Sequence, residues 1–131
     1  MGKNTGLRIL LADGDARVRS ALLTLLAQET EPIEARECPD IGCLAVEVQG
    51  FEPDVIFLDW ELPGRPASAL LFGFHGLESK PKVIVLSARP ETEQPAMTAG
   101  ADAFVSKGES PERLLTTFRE LVSGLSRTGI N

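Results

Sequence analysis

The sequence predicts a doubly wound α/β fold, in which one parallel sheet carries helices on both faces. Three observations predict it: short apolar runs alternate with helix-length amphipathic segments, the alternation occurs five times, and the middle run is apolar without interruption. Short apolar runs are typical of strands, and a strand that is apolar throughout is covered on both faces. Strict alternation of strands and helices favours a parallel sheet with right-handed crossovers.

Each predicted element has a local signal. Asp40 and Ser110 stand as N-caps before the second and fifth helices, and Gly50 and Gly100 stand as stop signals after the second and fourth. Two prolines leave room for only a short or distorted fourth helix, and two glycines weaken the third. The predicted strands cover residues 7–12, 31–37, 55–58, 83–86 and 103–105, and the predicted helices cover 16–28, 41–50, 68–77, 89–100 and 111–122.

The composition describes one globular domain. The chain has 131 residues, of which 43% are hydrophobic, and this length is enough to bury a single core. We expect residues 7–124 to form the domain, with a disordered N-terminus at 1–6 and a tail or truncated linker at 125–131. The net charge of −6 argues against direct binding of nucleic acid or of an anionic membrane. Since no apolar stretch approaches about 18 residues and no secretory signal is recognisable, we expect a cytoplasmic location.

The two cysteines, Cys38 and Cys43, lie five residues apart, and His75 is the one histidine. These three residues do not match the ligand spacing of a zinc site. We therefore expect free thiols, which are compatible with a reducing compartment.

Four polar residues stand where predicted strands end. Asp13 follows the first strand, Asp59 the third and Ser87 the fourth, and Lys107 lies just past the fifth. Because the carboxyl ends of parallel strands line one crevice, we expect these side chains to converge. Two carboxylates, a hydroxyl and an ammonium group in one crevice indicate chemistry on a phosphoryl group.

Four segments carry a family resemblance. They are Ile9-Leu10-Leu11-Ala12-Asp13-Gly14-Asp15-Ala16-Arg17-Val18-Arg19, Pro53-Asp54-Val55-Ile56-Phe57-Leu58-Asp59 with Leu62-Pro63-Gly64, Val83-Ile84-Val85-Leu86-Ser87-Ala88, and Ala99-Gly100-Ala101-Asp102-Ala103-Phe104-Val105-Ser106-Lys107. In their order and spacing they resemble the receiver domain of bacterial response regulators in two-component signalling, over nearly the whole chain. The resemblance implies a flavodoxin-like five-stranded sheet with strand order 2-1-3-4-5.

The resemblance also implies roles for individual residues. Asp59 would accept a phosphoryl group from a histidine kinase or a phosphotransfer protein, with Lys107 supplying a positive charge and Ser87 a hydroxyl donor. Ser87 and Phe104 would form the switch, in which the hydroxyl turns towards the phosphoryl group and the ring moves into the vacated space. The domain would be a signalling module, with at most self-phosphorylation and self-dephosphorylation activity.

A Mg²⁺ ion is implied at the same place. Its ligands would be Asp13, Asp59 and the backbone carbonyl of Glu61, with Asp15 as a possible further ligand. The chain departs from the family pattern here, because Gly14 stands where the family has a second adjacent acid. The loss of one carboxylate predicts Mg²⁺ binding that is weaker by about one to two orders of magnitude.

Glu61 and Arg89 are expected at the rim of this site, because they stand two positions after Asp59 and Ser87. We expect their side chains to pair across the mouth of the site and to shield a phosphoaspartate from water.

The output of such a domain depends on its partners. The segment Lys107-Gly108-Glu109-Ser110-Pro111-Glu112 resembles receivers attached to helix-turn-helix transcription regulators. The resemblance implies a possible homodimer through the face formed by the fourth helix and fifth strand.

Two alternatives stay open at this point. The first is a receiver-like interaction domain that is never phosphorylated, which the Gly14 substitution motivates. The second is a phosphohydrolase of the haloacid-dehalogenase type, whose Asp-x-Asp motif Asp13 and Asp15 would match. Taken alone, these two acids could also simply cap the first helix, since acids are typical of a helix N-terminus. Lys107, taken alone, could be an ordinary exposed lysine.

Overall fold

Strands and helices alternate throughout the computed structural model, which describes residues 6–64 and 66–125. The strands are β1 (Leu7–Ala12), β2 (Ile33–Cys38), β3 (Val55–Asp59), β4 (Lys82–Ser87) and β5 (Ala103–Ser106). The helices are α1 (Ala16–Leu26), α2 (Ile41–Phe51), α3 (Ala67–Phe74), α4 (Glu93–Ala99) and α5 (Pro111–Ser123), and a 3₁₀ turn (Pro90–Thr92) precedes α4. Residues 1–5 and 126–131, on which most of the predicted disordered N-terminus and C-terminal tail fall, lie outside the described residues.

The five strands form one parallel sheet in the order β2-β1-β3-β4-β5. This confirms the predicted fold class and strand order. The register places Asp59 beside Leu86, and Ser87 beside Ser106. The carboxyl ends of β1, β3, β4 and β5 therefore meet at one edge of the sheet, where the polar residues were predicted to converge.

Helices cover the sheet on both faces, and each face has its own apolar cluster. Side chains of α1 and α5 pack on one face, where the Phe57 and Phe118 rings stack with centroids 5.8 Å apart. Side chains of α2, α3 and α4 pack on the other face. Every residue of β3 is buried, as its unbroken apolar sequence predicts.

Helix α2 ends near Gly50, as predicted, but the prediction that Gly50 is the stop residue is wrong. The helix continues for one more residue to Phe51, whose ring is buried in the core, and the left-handed position falls on Glu52 with φ 54°. Burial of an aromatic side chain outweighs the glycine signal, because the energy of apolar burial exceeds the strain of a single left-handed residue.

The other local signals have different outcomes. Asp40 caps α2, since its Oδ1 accepts a hydrogen bond from the Cys43 amide at 2.8 Å. Gly100 ends the short α4 at φ 118°, as predicted. Ser110 occupies the N-cap position of α5, but its side chain makes no capping hydrogen bond. In the remaining elements the predictions differ by boundaries: α1 ends at Leu26 and α3 at Phe74, both earlier than expected.

In the described part of the chain, the helices all fall short of the length and apolar character that a membrane span needs.

Candidate functional site

The polar residues predicted from the strand ends lie together at the carboxyl edge of the sheet. The Lys107 ammonium nitrogen, Nζ, is 2.9 Å from Asp13 Oδ2 and 3.4 Å from Asp59 Oδ1. Ser87 ends the neighbouring strand, and its carbonyl accepts a hydrogen bond from the Lys107 amide at 2.8 Å. The Lys107 ammonium group therefore contacts two carboxylates, and a serine ends the adjoining strand.

Backbone hydrogen bonds hold the two acids in place. The Asp13 amide donates to the Cys38 carbonyl at 3.0 Å, which ties the acidic loop to the end of β2. The Asp59 carboxylate accepts a hydrogen bond from the Glu61 amide through Oδ1 at 3.1 Å. Asp13 is 2% exposed and Asp59 is 6% exposed, so both carboxylates sit largely away from bulk water.

Burial and charge determine how the site titrates. Burial raises the pKa of Asp59 above its ordinary value, and the Asp13 charge adds to this against the opposing effects of the Glu61 amide and Lys107. Burial lowers the pKa of Lys107, but contact with the two carboxylates outweighs it and leaves the pKa above its ordinary value. At neutral pH, the ammonium group is therefore charged.

Replacing Asp59 with asparagine is expected to raise the free energy of unfolding at about pH 7 by about 1 kcal/mol. A carboxyl with a raised folded-state pKa favours folding below its ordinary pKa of 3.8, and this contribution is lost as the pH rises through the folded-state value. The wild-type protein carries that penalty at neutral pH, whereas the asparagine variant does not. Urea unfolding at about pH 7 and pH 4 measures the difference, which should shrink at the lower pH; a variant less stable than wild type at pH 7 would contradict this account.

Asp15, the possible further metal ligand, lies at the N-cap position of α1, where its carboxylate contacts Arg17. Its side chain caps the helix by accepting a hydrogen bond from the Arg17 amide at 2.9 Å, and it also pairs with the Arg17 guanidinium. The hydrogen bond from the Arg17 side chain lowers the pKa of this carboxyl. The Asp15 amide donates to Asp13 Oδ1, so Asp15 orients the first acid through its backbone.

The two buried acids have the donor chemistry of a Mg²⁺ site. Apart from the ion pair with Lys107, the buried Asp13 Oδ2 has no hydrogen-bond partner among residues 6–64 and 66–125. Mg²⁺ commonly binds through one or two carboxylates and keeps several water ligands, which is the chemistry that Asp13 and Asp59 offer. Across the same residues, no group of three or more His, Cys, Asp or Glu side chains is arranged to hold a metal. The lack of a third acidic side chain in such a group is consistent with glycine at position 14, where the family pattern has an acid.

Glu61 and Arg89 pair at the rim, as predicted from their positions. Arg89 Nη2 lies 2.9 Å from Glu61 Oε2, and both side chains are substantially exposed. The same Glu61 oxygen accepts a hydrogen bond from the buried Ser87 hydroxyl at 3.2 Å. The Arg89 amide donates to Ser87 Oγ at 3.0 Å. Both rim residues therefore hold the serine side chain.

Two contacts at the site were not predicted from the sequence: one between Arg19 and Asp13, and one between Ser87 and Glu61. Arg19 Nη1 donates to the Asp13 carbonyl at 2.6 Å, and its Nε pairs with Glu37. The position of Arg19 one helical turn after the Asp15 cap is a signal that could have pointed to this contact. The bond between Ser87 and Glu61 had no such signal, since it depends on the rotamers of both side chains. Phe104 is partly buried and packs against the cluster under α2, α3 and α4.

Residues 9–119 match the response regulator receiver domain family. The chain belongs to this family. Receiver domains are signalling domains of two-component systems, and they interact with histidine kinases or phosphotransfer proteins. The family match and the geometry at the strand ends are independent observations that agree.

Curated relatives of this receiver domain are longer proteins. PhoB, the phosphate regulon transcriptional regulatory protein of Escherichia coli K12, is 29% identical over 126 residues, covering 91% of this chain and 53% of PhoB. A protein-glutamate methylesterase/protein-glutamine glutaminase of Rhodopseudomonas palustris is 34% identical over 104 residues, covering 77% of this chain and 29% of that protein. The chain thus spans about half the length of PhoB.

Solved receiver domains share the fold. A CheY-like receiver domain protein from Methanospirillum hungatei superposes with a TM-score of 0.82 at 24% identity, covering 95% of this chain and all of that one. A receiver domain from Bermanella marisrubri gives a TM-score of 0.78 at 24% identity, covering 90% of this chain and 99% of that chain.

Proposed function

We propose that this receiver domain accepts a phosphoryl group on Asp59 from a histidine kinase or a phosphotransfer protein. The observation that carries the proposal is the shared cation: Lys107 Nζ lies 3.4 Å from Asp59 Oδ1 and 2.9 Å from Asp13 Oδ2. A carboxylate that attacks phosphorus brings negative charge towards negative charge, so a positioned cation is the first requirement of the reaction. Asp59 stands at the end of the central strand, where the register pairs it with Leu86 of β4.

The transfer is a substitution at phosphorus. An Asp59 carboxylate oxygen forms a new bond to phosphorus, and the bond between phosphorus and the donor imidazole nitrogen breaks, with its electron pair remaining on the imidazole. The Glu61 amide already holds Oδ1 at 3.1 Å, while Oδ2 makes no hydrogen bond to the described residues. We infer that Oδ2 is the attacking oxygen and that Lys107 balances charge on the transferring group.

The metal in this proposal is Mg²⁺, held by Asp13, Asp59 and the Glu61 carbonyl. When bound, Mg²⁺ supplies charge neutralisation for the phosphoryl oxygens. With glycine at position 14, the chain provides two carboxylates rather than three, so Lys107 carries a larger share of that neutralisation.

Ser87 is the proposed switch residue, together with Phe104. In the unphosphorylated protein, the Ser87 hydroxyl donates to Glu61 and accepts from the Arg89 amide. To bond a phosphoryl oxygen, the hydroxyl must leave Glu61, which gives the space for Phe104 to move inward. Signalling is then a population shift between two packings, and about 5.5 kcal/mol of differential stabilisation moves the ratio from about 1:99 to 99:1.

The proposed output is contact between proteins rather than catalysis. The relative PhoB is a transcriptional regulatory protein about twice as long as this chain. We infer that the present domain regulates a partner or an effector domain, and that dimerisation through the face formed by α4 and β5 is one route. The net charge of −6 does not favour direct nucleic-acid contact by the receiver itself.

Incubation with acetyl phosphate and Mg²⁺, followed by intact mass measurement, tests the proposal. We expect one added phosphoryl group on the wild-type protein and none on Asp59→Asn. No adduct on the wild type at high donor concentration would instead favour the interaction domain that works without phosphorylation. Turnover of an aryl phosphate that is lost with Asp13→Asn but kept with Asp59→Asn would favour the phosphohydrolase.

Replacing Glu61 and Arg89 together with alanine is expected to speed dephosphorylation several-fold. The pair covers the mouth of the site, so its removal lets water reach the phosphoaspartate. Stability should change by less than about 1 kcal/mol, because the Glu61 side chain is 40% exposed and the Arg89 side chain 58% exposed. The decay of the phosphorylated mass species measures the rate. The matched control removes Arg119 and Glu29, an ion pair at the opposite end of the sheet; equal decay rates in all three proteins would rule out shielding.

A further inference from the structure

Two thiols lie against each other behind the acidic loop. Cys38 ends β2 and is fully buried, whereas Cys43 lies in the first turn of α2 and is partly exposed. Both are free, as predicted, and their sulfur atoms are 2.8 Å apart. A disulfide bond has a length of about 2.05 Å, so bond formation needs a sulfur movement of less than about 1 Å.

The local backbone keeps the two sulfurs in this arrangement. The Asp40 side chain caps α2 through the Cys43 amide at 2.8 Å, which sets the first turn of the helix relative to the strand end. The Cys43 thiol also points towards the Glu37 carbonyl at 3.8 Å. The capped first turn of α2 therefore holds Cys43 next to Cys38.

We propose that Cys38 and Cys43 form a reversible thiol–disulfide site that is oxidised by low-molecular-weight disulfides. This proposal stands independently of phosphorylation at Asp59, because it uses neither the carboxylates nor Lys107.

The exchange proceeds in two balanced steps. The partly exposed Cys43, as its thiolate, attacks one sulfur of the small disulfide, which forms a mixed disulfide and releases one small thiolate. Cys38 then attacks Cys43 Sγ and releases the second small thiolate, and the two protons of the cysteines end on the released small thiols. The protein loses two electrons and two protons, and the small disulfide gains both.

The order of the steps follows from exposure. Burial and the neighbouring Cys43 thiol raise the pKa of Cys38, so this thiol remains protonated and is not reached by solvent. Cys38 reacts because its sulfur already adjoins Cys43 Sγ, which offsets its low thiolate fraction.

The site adjoins the loop that carries Asp13. The Cys38 carbonyl accepts the hydrogen bond from the Asp13 amide at 3.0 Å, and the first residue of α2, Ile41, donates its amide to the Pro63 carbonyl at 2.9 Å. A covalent bond between Cys38 and Cys43 therefore ties together the segment that supports both loops of the acidic site.

The test is oxidation of the reduced, full-length chain in glutathione buffers of rising disulfide fraction, quenched by alkylation and followed by intact mass and peptide mapping. We expect the wild-type protein to lose the mass of two hydrogen atoms, to take up no alkyl group, and to regain both thiols on reduction. Cys43→Ser should show no such loss, and Cys38→Ala should give only a mixed disulfide at Cys43. Circular dichroism checks that each variant is folded.

Other outcomes would overturn the proposal. They are a wild-type protein that keeps two alkylatable thiols across the whole series, one that stops at a mixed disulfide, or one that forms disulfide-linked dimers in place of the internal bond.

Discussion

Replacing Lys107 with methionine is expected to lower the free energy of unfolding at about pH 7 by about 2 kcal/mol. The change leaves the carboxylates of Asp13 and Asp59 buried side by side without their cation. Removing one partner of a fully buried ion pair costs about 3–5 kcal/mol. The expected loss of about 2 kcal/mol lies below this range, because the Lys107 side chain is 26% exposed and so is not fully buried. Methionine keeps most of the length of the apolar stem, so the loss reports the charge rather than the packing.

The loss should depend on pH in a defined direction. Without the ammonium group, the pKa of Asp59 rises further above its ordinary value. Protonation of this carboxyl therefore restores part of the variant's lost free energy of unfolding as the pH falls through the carboxyl range. Lys107 itself has a raised pKa, so its contribution in the wild type is present below 10.5 and lost as the pH rises through the higher folded-state value. The difference between the two proteins should therefore be largest at neutral pH.

Urea unfolding across this pH range measures the effect, and Mg²⁺ should restore part of the lost stability by supplying a cation in place of the lost ammonium group. Phosphorylation by acetyl phosphate should slow by about 100-fold, the usual effect of removing one stabilising group from a transition state. The matched control is Lys82→Met, a partly buried lysine at the other end of the sheet. Equal stability of Lys107→Met and wild type at pH 7 would mean that the shared cation does not hold the site together.

The site was predictable because a parallel sheet converts sequence position into spatial position. Asp13, Asp59 and Ser87 each end an apolar run, and the register brings those ends to one edge. The pairing of Glu61 with Arg89 followed from the same rule, since both stand two residues past a strand end. No knowledge of rotamers was needed for these predictions.

Contacts that depend on rotamers or on competing energies were not predictable in this way. Gly50 is a strong stop signal, yet a buried Phe51 extends α2 and forces a left-handed residue at Glu52. Asp15 has the same chemistry as Asp13, but the helix N-terminus and Arg17 hold its carboxylate. The residue types alone do not distinguish a helix-capping carboxylate from a metal-binding one, because either role places an acidic side chain at the start of α1.

The spacing of Cys38 and Cys43 illustrates the same limit. Two cysteines five positions apart predict free thiols as readily as a contact, and the sulfur positions follow only from the strand end and the capped turn.

Restoring the missing acid with Gly14→Asp is expected to tighten Mg²⁺ binding by about 10- to 100-fold. Position 14 adjoins Asp13, and at an effective dielectric of about 20 a third carboxylate about 4 Å from divalent Mg²⁺ adds about 8 kcal/mol of attraction, most of which desolvation offsets. The remainder of about 1.4–2.8 kcal/mol corresponds to the stated range. Without Mg²⁺, the variant should be less stable than wild type, because three carboxylates then share the single Lys107 cation.

The side chain fits only if Pro63 gives way, and this separates the charge effect from the steric one. A Cβ atom at position 14 lies 3.1 Å from Pro63 Cδ, so the ring must shift by a few tenths of an ångström in any variant at this position. Gly14→Asn meets the same ring with nearly the same shape but without charge, so it is the matched control. Trp60, the sole tryptophan, directly follows Asp59 and reports the titration by fluorescence. Tightening in the aspartate variant alone supports a carboxylate effect, whereas an equal change in both variants would assign it to the displaced proline, and no change in either would mean that position 14 does not reach the ion.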